Sequence, residues 1–356
     1  MGARATTVRH GEEPTDDREL LGPRALRAWI TGERDAHARV FLLESAAGAG
    51  AVAAVADAED VLLLPEGSAS VAGPARIARY AGDLAALGDE LFFGERGVEL
   101  QDYIAASFVQ IVGPTAMRFF DASSWRAFLD DADLARRTGV FAAAMIDPRV
   151  LLADRRALAS PGETAAPSAL RIDGDGRVHL GLQGGVIGDV DDLPALLAQE
   201  HPRTATLGGI AAAGDLVAGL ARRDWMARYL DAADLCKMLR LSNGAARIAG
   251  FGWSFLEDGL ADAEPVVTDP FLLDTAEGLL LADVGTLRRQ LLTPPTAAVV
   301  AAMQTSSTLD LAAARVTRAC GVPDSHARRL CHDALGALGV HLGRPARAAD
   351  GAAAGR

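Results

Sequence analysis

Lysine is almost missing from this chain: Lys237 is the only one, against 34 arginines. Any chemistry that needs an amine side chain elsewhere, such as a Schiff base or a phosphate-loop lysine, is excluded. Cysteine is nearly as scarce. Cys236, Cys320 and Cys331 form an odd set without paired spacing, which speaks against a disulfide framework and for a reducing compartment. The longest apolar runs, such as Val61–Leu64 and Leu279–Ala282, are far too short to span a bilayer. No basic stretch followed by an apolar one opens the chain, so no signal peptide is expected, and the plain expectation is a cytoplasmic protein.

Catalytic motifs are missing as well. There is no Gly-x-Ser-x-Gly elbow, no P-loop and no His-Glu-x-x-His pair. Gly48-Ala-Gly-Ala-Val-Ala53 follows a strand-like run and opens a helix-like one, the context of a dinucleotide fingerprint. Its first glycine lies several residues beyond that strand, however, and the nearest acidic residue after a second strand is Glu66. Chance small-residue composition explains it better. His326, Cys331 and His332 share a helix, but spacings of five and six do not converge on a metal as a spacing of four does. His179 and His201 stand alone. Asp173-Gly-Asp-Gly176 lacks the rest of a calcium loop. Asp130, Asp131 and Asp133 read as a solvated helix edge. The expectation is a non-catalytic protein with no cofactor and no metal.

The net charge of −12 argues against a surface that tracks nucleic acid throughout. The C-terminal part differs. From Gly285 to Asp350 there are eight arginines and four aspartates, so a mildly basic tail ends an acidic body.

At this length two or three domains are expected. Residues 1–25 read as a loose lead-in and 26–155 as an α/β domain. Within it Arg39–Leu43 and Asp60–Leu64 are expected as strands, with helices over Ala46–Ala56, Gly73–Leu87 and Ser123–Arg137, the last capped by Asp121 or Ser123. Phe108–Val112 reads as a further strand. The proline-containing stretch 156–168 reads as a linker. A mixed section follows over 169–264: a hairpin of Ala169–Ile172 and Arg177–Leu182, then helices over Asp192–Glu200 and Asp215–Leu239. Ala245–Phe255 is the most aromatic stretch, with glycines that suit close backbone approach. The overall class is α/β, or α+β when all parts are counted.

The clearest pattern covers 265–343. Phe271–Asp274 and Leu279–Asp283 flank a Thr-Ala-Glu-Gly turn, and Arg288–Leu292 makes a third strand. Thr293-Pro-Pro starts a helix reaching Met303. A second helix opens at Asp310 and closes at Gly321, and a third begins at Pro323. In the third, Ala327, Leu330, Cys331, Ala334, Leu335 and Leu338 form one apolar stripe, with Ser325, His326, Arg328, Arg329, His332 and Asp333 on the other sides. Three strands followed by three helices predict a winged helix-turn-helix module, with 344–356 as a disordered tail.

Leu291–Met303, Ser307–Leu311 and the helix ending Leu335-Gly-Ala-Leu-Gly-Val340 resemble the recognition domains of pathways that modify ribosomally made peptides. The best-known form is the small peptide chaperone of pyrroloquinoline-quinone synthesis. With Gly250-Phe-Gly-Trp253 and Met303–Ser307, the larger chain resembles the recognition proteins of daptide biosynthesis in actinobacteria. The resemblance implies that a leader peptide adds a strand to the open sheet edge, with apolar leader residues between the third strand and the third helix. It places peptide contacts at Arg288, Gln290, Leu292, Arg328 and Arg329. Which edge residues face inward stays open, since a slip of one residue reverses the choice. The implied partners are a precursor peptide and modifying enzymes: an oxidative decarboxylase, an aminotransferase and a methyltransferase. The alternative from the residues alone is a winged-helix transcription regulator that binds DNA, with the N-terminal domain as a sensor.

Overall fold

The computed structural model describes residues 17–34 and 37–345. The chain is α/β overall, with one large mixed sheet. Helix α1 (Asp17–Thr31) already occupies the second part of the expected lead-in. Its Leu26, Trp29 and Ile30 are buried to 0% exposure, and that apolar burial holds residues 17–25 in a helix. The first sixteen residues lie outside the described ones.

Ten strands make the large sheet: β1 (Val40–Leu43), β2 (Val61–Pro65), β3 (Arg76–Gly82), β4 (Glu90–Phe93), β5 (Arg96–Asp102), β6 (Thr115–Arg118), β7 (Val150–Leu152), β8 (Ala169–Ile172), β9 (Arg177–Leu180) and β10 (Val186–Asp189). Their order across the sheet is β10-β9-β8-β1-β2-β3-β4-β5-β6-β7. The run β8-β1-β2-β3 is parallel, as is β5-β6-β7. The expected hairpin at 169–182 is present, and β8 pairs with β1. It therefore belongs to the N-terminal sheet rather than to a separate section. The stretch expected as a linker carries a short helix over Arg155–Ala159 and does not interrupt that sheet.

Three expected elements differ. The helix over Gly73–Leu87 is instead strand β3. Ala78 and Tyr80 face the α1 side of the sheet while Ile77 faces the other, so a short alternation with both faces covered won over helical spacing. Phe108–Val112 pairs with no strand. It is a loop between β5 and β6 with Phe108 83% and Val112 76% exposed. The expected helix over Asp215–Leu239 is broken by a turn, giving helices over Ala213–Ala221 and Met226–Leu239. Arg223, in that turn, donates from Nε to Asp133 at 2.9 Å.

One core joins α1 to residues from β1–β6 and β8, so the sheet curls around that helix. Its distant strands meet through buried polar groups. Gln183, just beyond β9, accepts from the Phe119 N–H at 2.6 Å and donates to Asp154 Oδ2 at 2.8 Å. Asp154 follows β7, and its N–H donates to Ile30 at the end of α1 at 2.8 Å. It sits at φ 52°, and burial pushes its carboxyl up to about 7.

The C-terminal part has its own sheet. Strand β11 (Ala246–Ala249) pairs with β12 (Phe271–Thr275), then β13 (Gly278–Asp283) and β14 (Arg288–Leu292), all antiparallel. Three helices follow at Pro294–Gln304, Leu309–Cys320 and Asp324–Leu338. Thr293 and Thr308 cap the first two through their hydroxyls, and Gly321 and Gly339 in the left-handed region close the last two. Leu272 and Leu281 pack into the helical core, while Phe271, Leu273 and Ala282 pack into an aromatic core with Phe128, Phe141, Tyr229 and Phe251. The sheet is thus covered on both faces. The aromatic stretch holds a close backbone approach: a Cβ on Gly252 would stand 2.4 Å from the Thr138 carbonyl carbon. Arg344–Pro345 form a short bridge with Ala263–Glu264, and the rest of the expected tail lies outside the described residues.

Asp154 gives a pH signature. A carboxyl raised from about 3.9 unfolded to about 7 folded contributes stability that is complete below pH ~4 and lost as pH rises through 7. Asp154→Asn lacks that titration. Urea unfolding at pH 4, 6 and 8 is expected to move the stability difference in the variant's favour by a few kcal/mol as pH rises. A difference that stays flat with pH would refute the assignment.

Candidate functional site: an open strand edge beside a charged cavity

Strand β14 ends the C-terminal sheet, so its outer backbone edge has no neighbouring strand among the described residues. The strand is formed by a four-residue turn. Asp283 accepts at Oδ1 from Gly285 N–H at 2.8 Å and Thr286 N–H at 3.1 Å, and Leu287 takes the left-handed conformation at φ 56°. Leucine is strained there by about 1–2 kcal/mol and is 71% exposed.

The register settles which way the edge residues face. Arg288, Gln290 and Leu292 stand opposite Asp283, Leu281 and Leu279. Leu281 and Leu279 pack with the helices, so these three share the helix-side face, and Leu292 is half-buried there. Arg289 and Leu291 turn to the opposite face. With Leu239, Leu241 and Leu280 they line a cavity of about 600 Å³.

The two arginines of the third helix are placed differently. Arg328 is held by Asp310 at 2.6 Å and by Asp324 at 2.9 Å, at the start of the second and third helices. Those aspartates raise its pKa and occupy its guanidinium. Arg329 is exposed. Ala327, Cys331 and Ala334 are buried in the helical core, as the apolar stripe predicts.

A larger cavity, about 910 Å³, lies where the β13–β14 turn faces β7 and the helix Met226–Leu239. Asp283 to Leu287 form one wall, and Met145, Val150–Leu152, Met238, Val267 and Phe271 add apolar surface. Its polar centre is Arg155. This guanidinium meets Asp231 at 2.6 Å, Asp234 at 2.7 Å and Glu33 at 3.3 Å. Lys237, the lone lysine, meets Asp234 at 3.3 Å and donates to the Val150 carbonyl at 3.1 Å. Burial works against the charge on Arg155, but Asp234, Asp231 and Glu33 outweigh it and raise its pKa. Burial leads in raising the pKa of Asp231, with Arg155 opposing.

None of these cavity residues was singled out as a site from sequence. The available signal was the spacing of Asp231, Asp234 and Lys237, which puts all three on one face of a helix. Arg155 comes from a stretch that borders the expected linker, and only the fold brings it there.

Other expected features have structural explanations. His179 is not isolated: its Nε2 meets Asp173 Oδ2 at 3.1 Å and its Nδ1 meets Arg171 Nη2 at 3.3 Å, while Arg171 reaches Glu44 at 3.3 Å. Asp173 Oδ1 accepts from the N–H groups of Asp175 and Arg177, so the Asp-Gly-Asp-Gly turn uses this carboxylate to hold the hairpin. Asp131 and Asp133 are no solvated edge. Asp131 accepts from the Tyr103 hydroxyl at 2.8 Å, and Asp133 pairs with Arg223. Gly48 lets its short helix lie against Ile172, whose Cγ2 would be 3.2 Å from an added Cβ, which is a packing reason for the glycine. Among the described residues no group of three or more His, Cys, Asp or Glu side chains is placed to hold a metal, and no helix is long and apolar enough to cross a membrane.

Comparison with known proteins returns no similar family model, no similar curated protein and no similar solved structure.

The Arg155 cluster is a structural joint before it is anything else. Replacing Arg155 by methionine leaves three partly buried carboxylates without their shared cation, and a loss of roughly 3 kcal/mol is expected in chemical denaturation. Raising the salt to 1 M should leave most of the wild-type stability in place, since the guanidinium is only 17% exposed. A loss under 1 kcal/mol would show that the cluster contributes as little as a surface pair.

Proposed function

We propose that this chain is a non-catalytic recognition protein that holds an extended leader peptide of a ribosomally made precursor by strand addition to β14. The observation that carries the reading is the open outer edge of a sheet whose two faces are both covered. An unpaired row of N–H and C=O groups is a template for another strand, and proteins normally blunt or hide such edges. Backbone hydrogen bonds along Arg288–Leu292 supply affinity, and the alternating side chains supply selectivity. Arg288, Gln290 and Leu292 read the face toward the helices, while Arg289 and Leu291 read the face over the smaller cavity.

In this reading residues 265–343 act as a winged-helix recognition module, of the kind that the resemblance to peptide-recognition domains implies. Arg288 pairs with acidic leader side chains, as does Arg329 on the third helix. Arg328 takes part less, since Asp310 and Asp324 already hold it. The same pairing weighs against DNA reading by that helix, which also presents Asp333 on its exposed side. The bound leader tethers its core to separate modifying enzymes, so each later encounter is nearly intramolecular.

The test is fluorescence anisotropy of the labelled leader encoded beside the gene, using the full chain. Truncation to the C-terminal part would bare the Phe271, Leu273 and Ala282 face. Proline is placed at Gln290 and at Leu291 in turn. Adjacent edge residues point their N–H groups alternately toward β13 and outward, so one of the two changes removes only an outward donor. That variant is expected to keep its circular dichroism spectrum and lose at least tenfold in leader affinity. Leader binding unchanged in a folded proline variant at both positions would overturn strand addition. Steeply salt-dependent binding of duplex DNA, with none of the leader, would replace the reading by the regulator alternative.

A further inference from the structure

The strand edge does not end in open solvent. Its first residue, Arg288, follows the turn whose residues Asp283 to Leu287 wall the cavity of about 910 Å³. That volume is near the upper end of small-ligand pockets, which run to ~1,000 Å³. A chain lying along β14 and continuing past Arg288 meets Leu287 at the lip and then the cavity mouth.

The walls are of two kinds. Met145, Leu151, Met238, Val267, Val284 and Phe271 give an apolar lining in which the two methionines adapt to different side-chain shapes. The charged side chains are Glu33, Asp231, Asp234, Asp269 and Asp283 against Arg27, Arg155 and Lys237, five acidic groups to three basic ones. Asp269 is committed to His341 and Gln304, and Asp283 to its own turn. Asp231 and Asp234 share Arg155, and the burial that raises the Asp231 pKa marks a carboxylate that an added cation would favour. The floor is also a sheet edge: β7 ends the ten-stranded sheet, and at Val150 the N–H is taken by the Asp147 carbonyl and the carbonyl by Lys237. At the lip stands an apolar side chain, 71% exposed, on a backbone conformation that glycine adopts more readily.

We propose that this cavity is a second peptide subsite, which takes a short extended segment carrying a basic residue beside apolar ones, contiguous with the strand held on β14. The identity of the occupant rests on the peptide-recognition reading. The subsite gives the protein a second specificity element, independent of backbone pairing. It also fixes the end of the leader that lies toward Arg288, so register along β14 is set by the cavity rather than by the strand alone.

The probes are two fluorescein-labelled tripeptide amides, acetyl-Leu-Arg-Leu and acetyl-Leu-Glu-Leu, titrated into the full chain at low and moderate salt. The arginine peptide is expected to bind at least tenfold more tightly than the glutamate peptide. Leu287→Arg, at an exposed position that does not test folding, should reduce its binding at least fivefold, and Asp231→Asn should do so in protein whose unfolding transition stays cooperative. The edge proline variant that keeps its circular dichroism spectrum should bind the tripeptide as the unaltered chain does. Equal binding of the two tripeptides, or indifference to both cavity changes, would overturn the subsite. Loss of the leader in the edge variants together with no tripeptide binding would sink this inference alone. Tripeptide binding without leader binding would instead refute strand addition and leave the cavity as a peptide site by itself.

Discussion

The small sheet of β11–β14 has to bury both of its faces, and the rest of the molecule is arranged around that demand. Successive residues of β12 go opposite ways: Phe271 and Leu273 into the aromatic core, Leu272 into the helical one, each at 2% exposure or less. Fully burying a side chain of this kind is worth about 1.5–3 kcal/mol. A sheet satisfied on two faces has little left to offer a partner except an edge. One edge is taken up by β11 and a two-residue bridge at Gly252–Trp253, which leaves β14. Openness at that position is therefore a consequence of how the two halves dock.

Arginines hold the docked halves together. Arg228 is almost fully buried, lies over the Phe271 ring at 4.0 Å, and donates to the carbonyls of Val266 and Asp269 at 3.0 and 2.7 Å. Desolvation lowers its pKa to about 10, still far above neutrality, so it stays charged where it is. Arg136 reaches Glu264 at 2.7 Å and donates to the Gly250 carbonyl. A planar guanidinium can satisfy several acceptors at once, and a lysine in the same places would leave some of them unpaired. With these joints intact, the walls of the large cavity come from two parts of the sequence that are fixed relative to each other.

Much of this was legible in the chain, and the rest failed for identifiable reasons. The C-terminal strands and helices stand where the apolar spacing and the Thr, Pro and Gly punctuation put them. Strong local signals and short connections coincide there, so no distant contact was needed to decide. The Asp121 cap on the helix starting at Ala122 was readable for the same reason, its carboxylate accepting from the N–H groups of Ser123 and Ser124. Strand β3 was misread because an alanine-rich stretch suits a helix until a parallel neighbour, β2, offers a ladder. Phe108–Val112 has strand composition and no ladder to join. The orientation of β14 was open, since its residues alternate arginine, glutamine and leucine without a clear apolar side, and only pairing with β13 resolves it. The cavity was invisible for a deeper reason. Glu33, Arg155 and Asp231 are 122 and 76 residues apart as counted from Arg155, and nothing local links them.

On the proposed reading the N-terminal half also has a physical part to play. Strand β7 and the end of α1 contribute Val150–Leu152, Thr31 and Glu33 to the cavity wall, and both are held by the curl of the ten-stranded sheet that Gln183 and Asp154 close. A C-terminal module alone would keep the strand edge but lose this wall and bare the Phe271 face. Binding a flexible peptide costs ordering entropy at every residue fixed. A second rigid wall next to the edge returns contact area at the point where the chain would otherwise leave the protein. If the C-terminal part binds a peptide as proposed, that is a reason for a unit of about eighty residues to be built into a chain of 356. On that proposal the larger part supplies the fixed surface against which a single open strand becomes selective.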